Sequence, residues 1–462
     1  MTLATWCGGA APLRADDAAA APTFDLTPRL GPQAGCQATV TLEAGGELLV
    51  PAESGRGEKR LPLSIVARLE YQEQLVRWSD DMEQGARSVR RYTTATANTK
   101  TDAQSQELKL PENRRLAAVD SSDLGTAIRA LDGPLTRDEF ILLDAVGNTL
   151  VIDRLLPKRA LAEGDGWDHD PGVMAALLGM DHIAVCEVRS VVTGQENGQV
   201  QIRLAGTVHG TVHGARTEME LRGAYLFHTQ RGRISKLNLA IKELRKPGEA
   251  APGLDLTARV SVVAAPLPAS DAPAFDAATL ARVEKLTRGE LRELIAAAPE
   301  RGFRFRHDQS WHAVHETREM SSFKLLVEGE LLARCSVAMA PPRPEAKPMT
   351  LAEFERDVLK ALETQAGKVA AATEWTTPAG YQCLGVFVDG SVSGGAELAG
   401  KVEVQWRYFH LSAPGRPQAT VAVTVERGYL ERFADADRPL VDSFELVAAA
   451  KTAAASAATS PK

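Results

Sequence analysis

The chain reads as an α+β protein of two sheet-based bodies, a curved antiparallel β-sheet domain followed by an α/β sandwich. Three observations carry that reading. Long runs alternate apolar and polar residues: Met219, Leu221, Tyr225 and Phe227 share one face against Glu218, Glu220 and Arg222. Capping boxes at Thr136–Glu139, Thr287–Glu290 and Thr350–Glu353 each place a hydroxyl three residues before a carboxylate, which opens a helix. At 462 residues the chain is too long for one ordinary core.

The order of elements divides the chain. Residues 1–22 form a leader, 23–263 an antiparallel β-rich domain, 264–298 a Pro/Ala linker and helix, 299–447 the sandwich, and 448–462 an Ala/Ser/Thr-rich disordered tail. In the first domain Leu63, Ile65, Leu69 and Tyr71 lie on one face of a strand. Arg87, Arg90 and Arg91 read as solvated strand or hairpin positions. Phe140 and Leu143 line one side of the helix opened by Thr136, and a strand follows through Leu150, Ile152 and Leu155. Gly164–Trp167 is a turn presenting an aromatic. A meander then places Ile202, Leu204 and Val208 inward, with Leu237, Leu239 and Ile241 on the return strand.

The helix opened by Thr287 carries a stripe of Leu291, Leu294 and Ile295, with Pro299 after its end. In the last third, Phe303 and Phe305 alternate and a hairpin crosses Glu328–Glu330. Pro341–Pro344 breaks the sheet. Leu351, Phe354, Val358 and Leu362 recur at helical spacing, and Val402, Val404, Trp406 and Tyr408 face inward on a strand. Tyr429–Ala436 reads as a short helix.

Composition bounds the function. Charged residues make up 24% and hydrophobic ones 44%, as in a globular protein, and a net charge of -7 argues against a nucleic-acid partner. No apolar run reaches the roughly 18–20 residues of a transmembrane helix. Leu3–Ala11 is apolar and uncharged, followed by Leu13-Arg14-Ala15, which reads as the tail of a secretory signal without its basic region; a disordered Ala-rich leader is the alternative. Trp6 before Cys7 makes a poor lipidation site. The localisation expected is periplasmic or extracellular. Cys335 and Cys383 in the second domain form a candidate disulfide, with buried free thiols as the alternative.

No motif supplies a reaction centre, a cofactor or a metal. His209 and His213, about 13 Å apart on an extended strand, are too far to share an ion. Asp168, His169 and Asp170 bracket an imidazole with two carboxylates, but Gly164, Gly166 and Pro171 already make the stretch a loop. His307, His312 and His315 surround Trp311 and alternate onto different faces. Gly390–Gly395 lacks the lysine and helix start of a phosphate loop.

The order strands–helix–strands–helix–strand resembles the PsbP-type fold. Phe303-Arg304-Phe305 with Trp311, Phe354–Val358 and Trp406–Phe409 are the stretches that carry the resemblance, which covers the last third of the chain. Its members are small binding or assembly proteins. The first half resembles the open half-barrel of LolA-type lipoprotein carriers. That resemblance implies a ligand-binding face of Met219, Leu221, Tyr225, Phe227, Leu237 and Leu239. The whole chain is similar to uncharacterised secreted bacterial proteins. Together these imply a non-catalytic envelope protein of binding or scaffold type, with a lipid, an apolar ligand or another envelope protein as partner. The alternative is an envelope hydrolase using the Asp168/His169/Asp170 loop or the His209/His213 hairpin.

Overall fold

Alternating sequence becomes strand along most of the chain. A computed structural model describes residues 22–32, 34–51, 57–102, 104–267, 274–298, 302–317, 320–340, 348–393, 400–414 and 416–447. The leader with Cys7, Pro299, Pro341–Pro344, residues 394–395 of the Gly/Ser loop and the tail lie outside them.

The first strands are β1 (Thr23–Asp25), β2 (Gly35–Pro51), β3 (Glu58–Trp78), β4 (Ala86–Thr101), β5 (Gln104–Lys109), β6 (Leu116–Ser122), β7 (Gly125–Ala130), β8 (Ala160–Ala162) and β9 (Gly166–Asp168). The meander follows as β10 (His182–Glu196), β11 (Gln199–Val212), β12 (Ala215–His228), β13 (Arg233–Arg245) and β14 (Gly253–Ala265). Twelve of these form one sheet in the order β7-β6-β4-β3-β2-β14-β13-β12-β11-β10-β9, with β5 on β4. β1 pairs with β8 separately. β2 and β3 are long, at 17 and 21 residues, and stay paired with each other from Gly35 and Gln74 to Pro51 and Glu58.

The inner face is closed by short helices: α1 (Arg137–Leu143), α2 (Thr149–Ile152) and α3 (Pro171–Leu178). Their Phe140, Leu143, Leu150, Ile152, Met174 and Leu177 share one core with Val40, Tyr71, Leu204 and Val262 of the sheet. Thr136 and Glu139 cap α1 reciprocally. Gly147, at φ +91, lets the chain approach β14; a Cβ there would meet Val262 Cγ2 at 2.6 Å.

The stretch 274–298 packs on the opposite face. α4 (Ala277–Lys285) and α5 (Arg288–Arg292) bury Val283 and Leu291, with Phe275, against Val89, Ala118 and Ala127. Arg87 donates to the carbonyls of Val283, Glu284 and Leu286 at the end of α4 and pairs with Asp120 at 2.9 Å. The stripe expected across Leu294 and Ile295 is instead strand β15 (Glu293–Ala298).

The remaining strands are β16 (Phe303–Asp308), β17 (Trp311–Glu316), β18 (Met320–Val327), β19 (Glu330–Ala340), β20 (Ala366–Thr376), β21 (Gln382–Ser393), β22 (Lys401–Ser412), β23 (Gln418–Glu426) and β24 (Glu445–Leu446). β16 joins β15 and β24, and the others form a seven-stranded sheet ordered β17-β18-β19-β23-β22-β21-β20. α6 (Leu351–Leu362) lays Phe354, Val358 and Leu362 on Leu384, Val386 and Trp406. The other face carries Trp311, Phe323, Phe409 and Val423 under Phe433 and Phe444.

These observations correct several expectations. Strand takes up 60% and helix 17% of the structure, so the fold is mostly antiparallel β rather than α+β. The PsbP-like sandwich and the LolA-like half-barrel are both set aside. Among the described residues α6, at 12 residues, is the longest helix. The helix expected at Tyr429–Ala436 contracts to α7 (Leu430–Phe433), before α8 (Arg438–Asp442). A capping box fixes where a helix starts and says nothing of its length. The open hollow of a half-barrel is absent for a separate reason: helices of the same chain fill it. The strand expected through Leu150, Ile152 and Leu155 is α2 with a 3-10 turn, begun by Asn148, whose side chain accepts from the Leu150 amide. No described helix is long and apolar enough to cross a membrane, which leaves strand-based spanning unaddressed.

Candidate binding surfaces

The proposed acid–base loop does not assemble. Asp168 is exposed and pairs with Arg189 at 3.0 Å. Asp170 accepts from the amides of Gly172 and Val173, which caps α3. His169 turns into the core, where its Nε2 lies 2.7 Å from the Ser190 hydroxyl, and Tyr225 donates to that same oxygen at 2.9 Å. Burial pushes the His169 imidazole down to about 4. A serine beside an imidazole is chemically suggestive, but Ser190 is fully buried and Asp168 and Asp170 are engaged elsewhere. The second candidate pair separates too. His209 stays on β11, 3.9 Å from Glu218, while His213 sits in the following turn at φ +48. Among the described residues no group of three or more His, Cys, Asp or Glu side chains could hold a metal ion.

Sequence reasoning missed a buried charge network. Arg90 donates to Glu73 at 2.7 Å, to Asn148 at 2.5 Å and to Thr149 at 3.0 Å. Burial opposes the charge on Glu73, yet Arg90 and Thr149 hold its carboxyl below the usual range. A few ångströms on, Asp153 accepts from the Ile234 amide at 2.6 Å and from Arg233 at 3.4 Å. Burial pushes Asp153 up to about 6. These groups tie α2 to the sheet at fixed points. Arg87 and Arg90, expected in solvent, are both buried.

The six residues of the expected ligand face do share one side of β12 and β13. Met219, Leu221, Tyr225, Phe227, Leu237 and Leu239 are each no more than 5% exposed and sit in the core with the helices of the same chain. The candidate disulfide is corrected. Cys335 and Cys383 are free. They lie on β19 and β21, with β23 and β22 between them. Three strand spacings come to about 14 Å, twice what a disulfide spans.

The inner face changes character toward the far ends of the long strands. Along β2, Ala38 and Val40 are buried, whereas Leu42, Ala44 and Leu48 are half-buried; along β3, Leu69 is buried, Ala67 and Ile65 are half-buried, and Leu63 is buried again. Cross-strand register puts Leu108, Ala97, Ala67 and Leu42 in one row over β5, β4, β3 and β2. Thr99, Ile65 and Ala44 form the next row. The result is an apolar row about 14 Å wide from β5 to β2, beside a second row that is aliphatic at Ile65 and Ala44 and polar at Thr99 and Gln106, without aromatic rings in either. The opposite face carries an open depression of about 560 Å³ over Ala224 and Ala240, edged by Glu43, Arg222 and Arg259. Its Arg222 is engaged by Glu220 at 2.7 Å.

No protein-family model matches the chain, and no curated protein matches it. Solved structures that align with it include three from Pseudomonas aeruginosa, of the outer membrane protein OprD, of OccK5 (OpdH) and of OccK2 (OpdF). OprD is 7% identical, covering 87% of this chain and 96% of its own, with a TM-score of 0.12. OccK5 (OpdH) is 6% identical, covering 86% and 98%, with a TM-score of 0.13. OccK2 (OpdF), solved with glucuronate, is 5% identical, covering 86% and 100%, with a TM-score of 0.11. Overlap at those scores carries no argument about fold or function.

Proposed function

We propose that this chain is an exported, non-catalytic binding protein of the cell envelope that seats an aliphatic segment on the shelf formed by the far ends of β2–β5. The carrying observation is the partial burial of Leu42, Ala44, Ala67 and Ile65 between the buried Val40 and Leu69 on one side and the buried Leu63 on the other. Contiguous apolar residues left partly open to water mark an interaction site. Branched and short aliphatic side chains without rings suit a flexible hydrocarbon, and each Å² they remove from water contributes about 25 cal/mol. The separation of Asp168, His169, Asp170, His209 and His213 supports the non-catalytic part. The apolar stretch Leu3–Ala11 supports export.

Titration of the full chain with parinaric acid, whose fluorescence rises in apolar surroundings, tests the site. Saturable binding is expected, with Ile65→Glu weakening it about tenfold, the loss of roughly 1.4 kcal/mol. Ala240→Glu on the opposite face should leave it unchanged. Absence of saturable binding, or equal binding by Ile65→Glu, overturns the reading. Fractionation of the producing cell, with the protein in the cytoplasm, would overturn the envelope assignment.

A further inference from the structure

We propose that the contact between the two sheet bodies is an acid-sensitive latch, in which His213 of the first body and His312 of the second meet and separate when they take up protons. Their rings lie 4.7 Å apart, centroid to centroid, at 48°. His213 occupies the turn between β11 and β12 in a left-handed conformation. The next residue, Gly214, abuts the hairpin between β18 and β19, where an added Cβ would meet the Gly329 carbonyl at 3.0 Å. Arg137 of α1 crosses the same junction and donates to the carbonyls of Gln309 and Trp311 at 2.6 and 2.5 Å.

The charges facing the pair decide the sign. His213 feels Arg245 and Arg137, both cationic. His312 feels Arg137, His213, His307 and one carboxylate, Asp308. That carboxylate is already held by Arg292 through two hydrogen bonds of 2.9 and 3.0 Å. Asp181, beside the His213 turn, accepts from the Gly214 amide at 2.8 Å. Lys324, opposite His312 on β18, pairs with Glu249, which Arg334 also approaches at 3.6 Å. Arg137 donates to neutral carbonyls, and its buried Nε has no partner among the described residues. A proton on either ring therefore adds a cation beside Arg137, where the nearby carboxylates Asp308, Asp181 and Asp144 are already held by Arg292, by backbone amides and by Thr126. Burial, reinforced by these cations, pushes His213 down to about 4 and His312 to about 2. Each body keeps its own apolar core, so the junction can part while the sheets persist.

Hydrogen exchange of the full chain at pH 7.5 and 4.5, corrected for intrinsic rate, is the test. Between those values the opening constant of residues 209–214 and 308–313 should rise on the order of 100-fold for each ring the opening frees, tenfold for each unit from its free value of about 6.5 down to pH 4.5, and so about 10,000-fold for the pair. Amides of β3 and β22 should stay protected. The double variant His213→Asn, His312→Gln should lose the pH response; asparagine tolerates the left-handed backbone. A junction equally protected at both pH values, or a double variant that opens with acid as the native chain does, overturns the proposal. Simultaneous loss of protection in both cores would equally overturn it, because acid would then be unfolding the bodies.

Discussion

Glu73 and Arg90 face each other directly across β3 and β4 and form a 2.7 Å ion pair with both side chains almost wholly out of solvent. A charge pair in the floor of an apolar core stays stable only when every polar atom is matched. Here Ser88, Thr149 and Asn148 complete the set. Removing one member leaves its partner stranded. Glu73→Gln should cost about 3–5 kcal/mol in urea unfolding, whereas replacing both by Leu and Met should cost far less. Equal losses for the single and double variants would contradict the pairing.

Asp170 serves α3, not chemistry. Asp170→Ala removes the acceptor for two amides at the helix start and should cost about 1 kcal/mol, read from the denaturation midpoint. Asp170→Ser should recover most of it. Failure of serine to rescue would argue for a role beyond the cap.

Burial beside Phe305 and Phe323 pushes His307 down to about 4. Unfolded, the ring takes its proton near pH 6.5. Its contribution is therefore complete above pH 6.5, falls as the pH drops toward 4 and is constant below that. About 1.36 kcal/mol per unit over that gap gives a loss of roughly 3 kcal/mol. Asp153 acts in the opposite sense, losing stability as the pH climbs from 3.8 to about 6. Melting curves between pH 7.5 and 4 should show a flatter decline for His307→Leu than for the native chain.

Cys335 and Cys383 should remain reduced thiols even in material from an oxidising compartment. Burial raises both, so an alkylating agent should reach them only after denaturation. Mass spectrometry without reductant checks this; a linked peptide containing both would require a different order of strands.

Local patterns were legible and long-range pairings were not. Leu63, Leu69 and Tyr71 are inward as alternation requires, and Thr136 and Thr350 cap helices with Glu139 and Glu353. Arg87 and Arg90 looked solvated because a charge in an alternating run goes to water unless a partner is known. The partners of Arg90 are Glu73 and Asn148, 17 and 58 residues away. Leu150 and Ile152 show the same limit, since a four-residue apolar run cannot distinguish a strand from a buried helical turn. The shelf was hidden as well. Leu42 and Leu108 carry the same apolar signal as Val40, yet they are half-buried where Val40 is buried. Strand order, which separates Cys335 from Cys383 and brings His213 to His312, has no local signature at all.

Hydrogen exchange of the full chain with and without bound parinaric acid tests the central claim most directly. Slowed exchange confined to residues 42–48, 63–67, 97–101 and 106–108 is the predicted result. Protection that instead falls on β12 and β13, around Tyr225 and Leu237, or over the depression at Ala224 and Ala240, would contradict it.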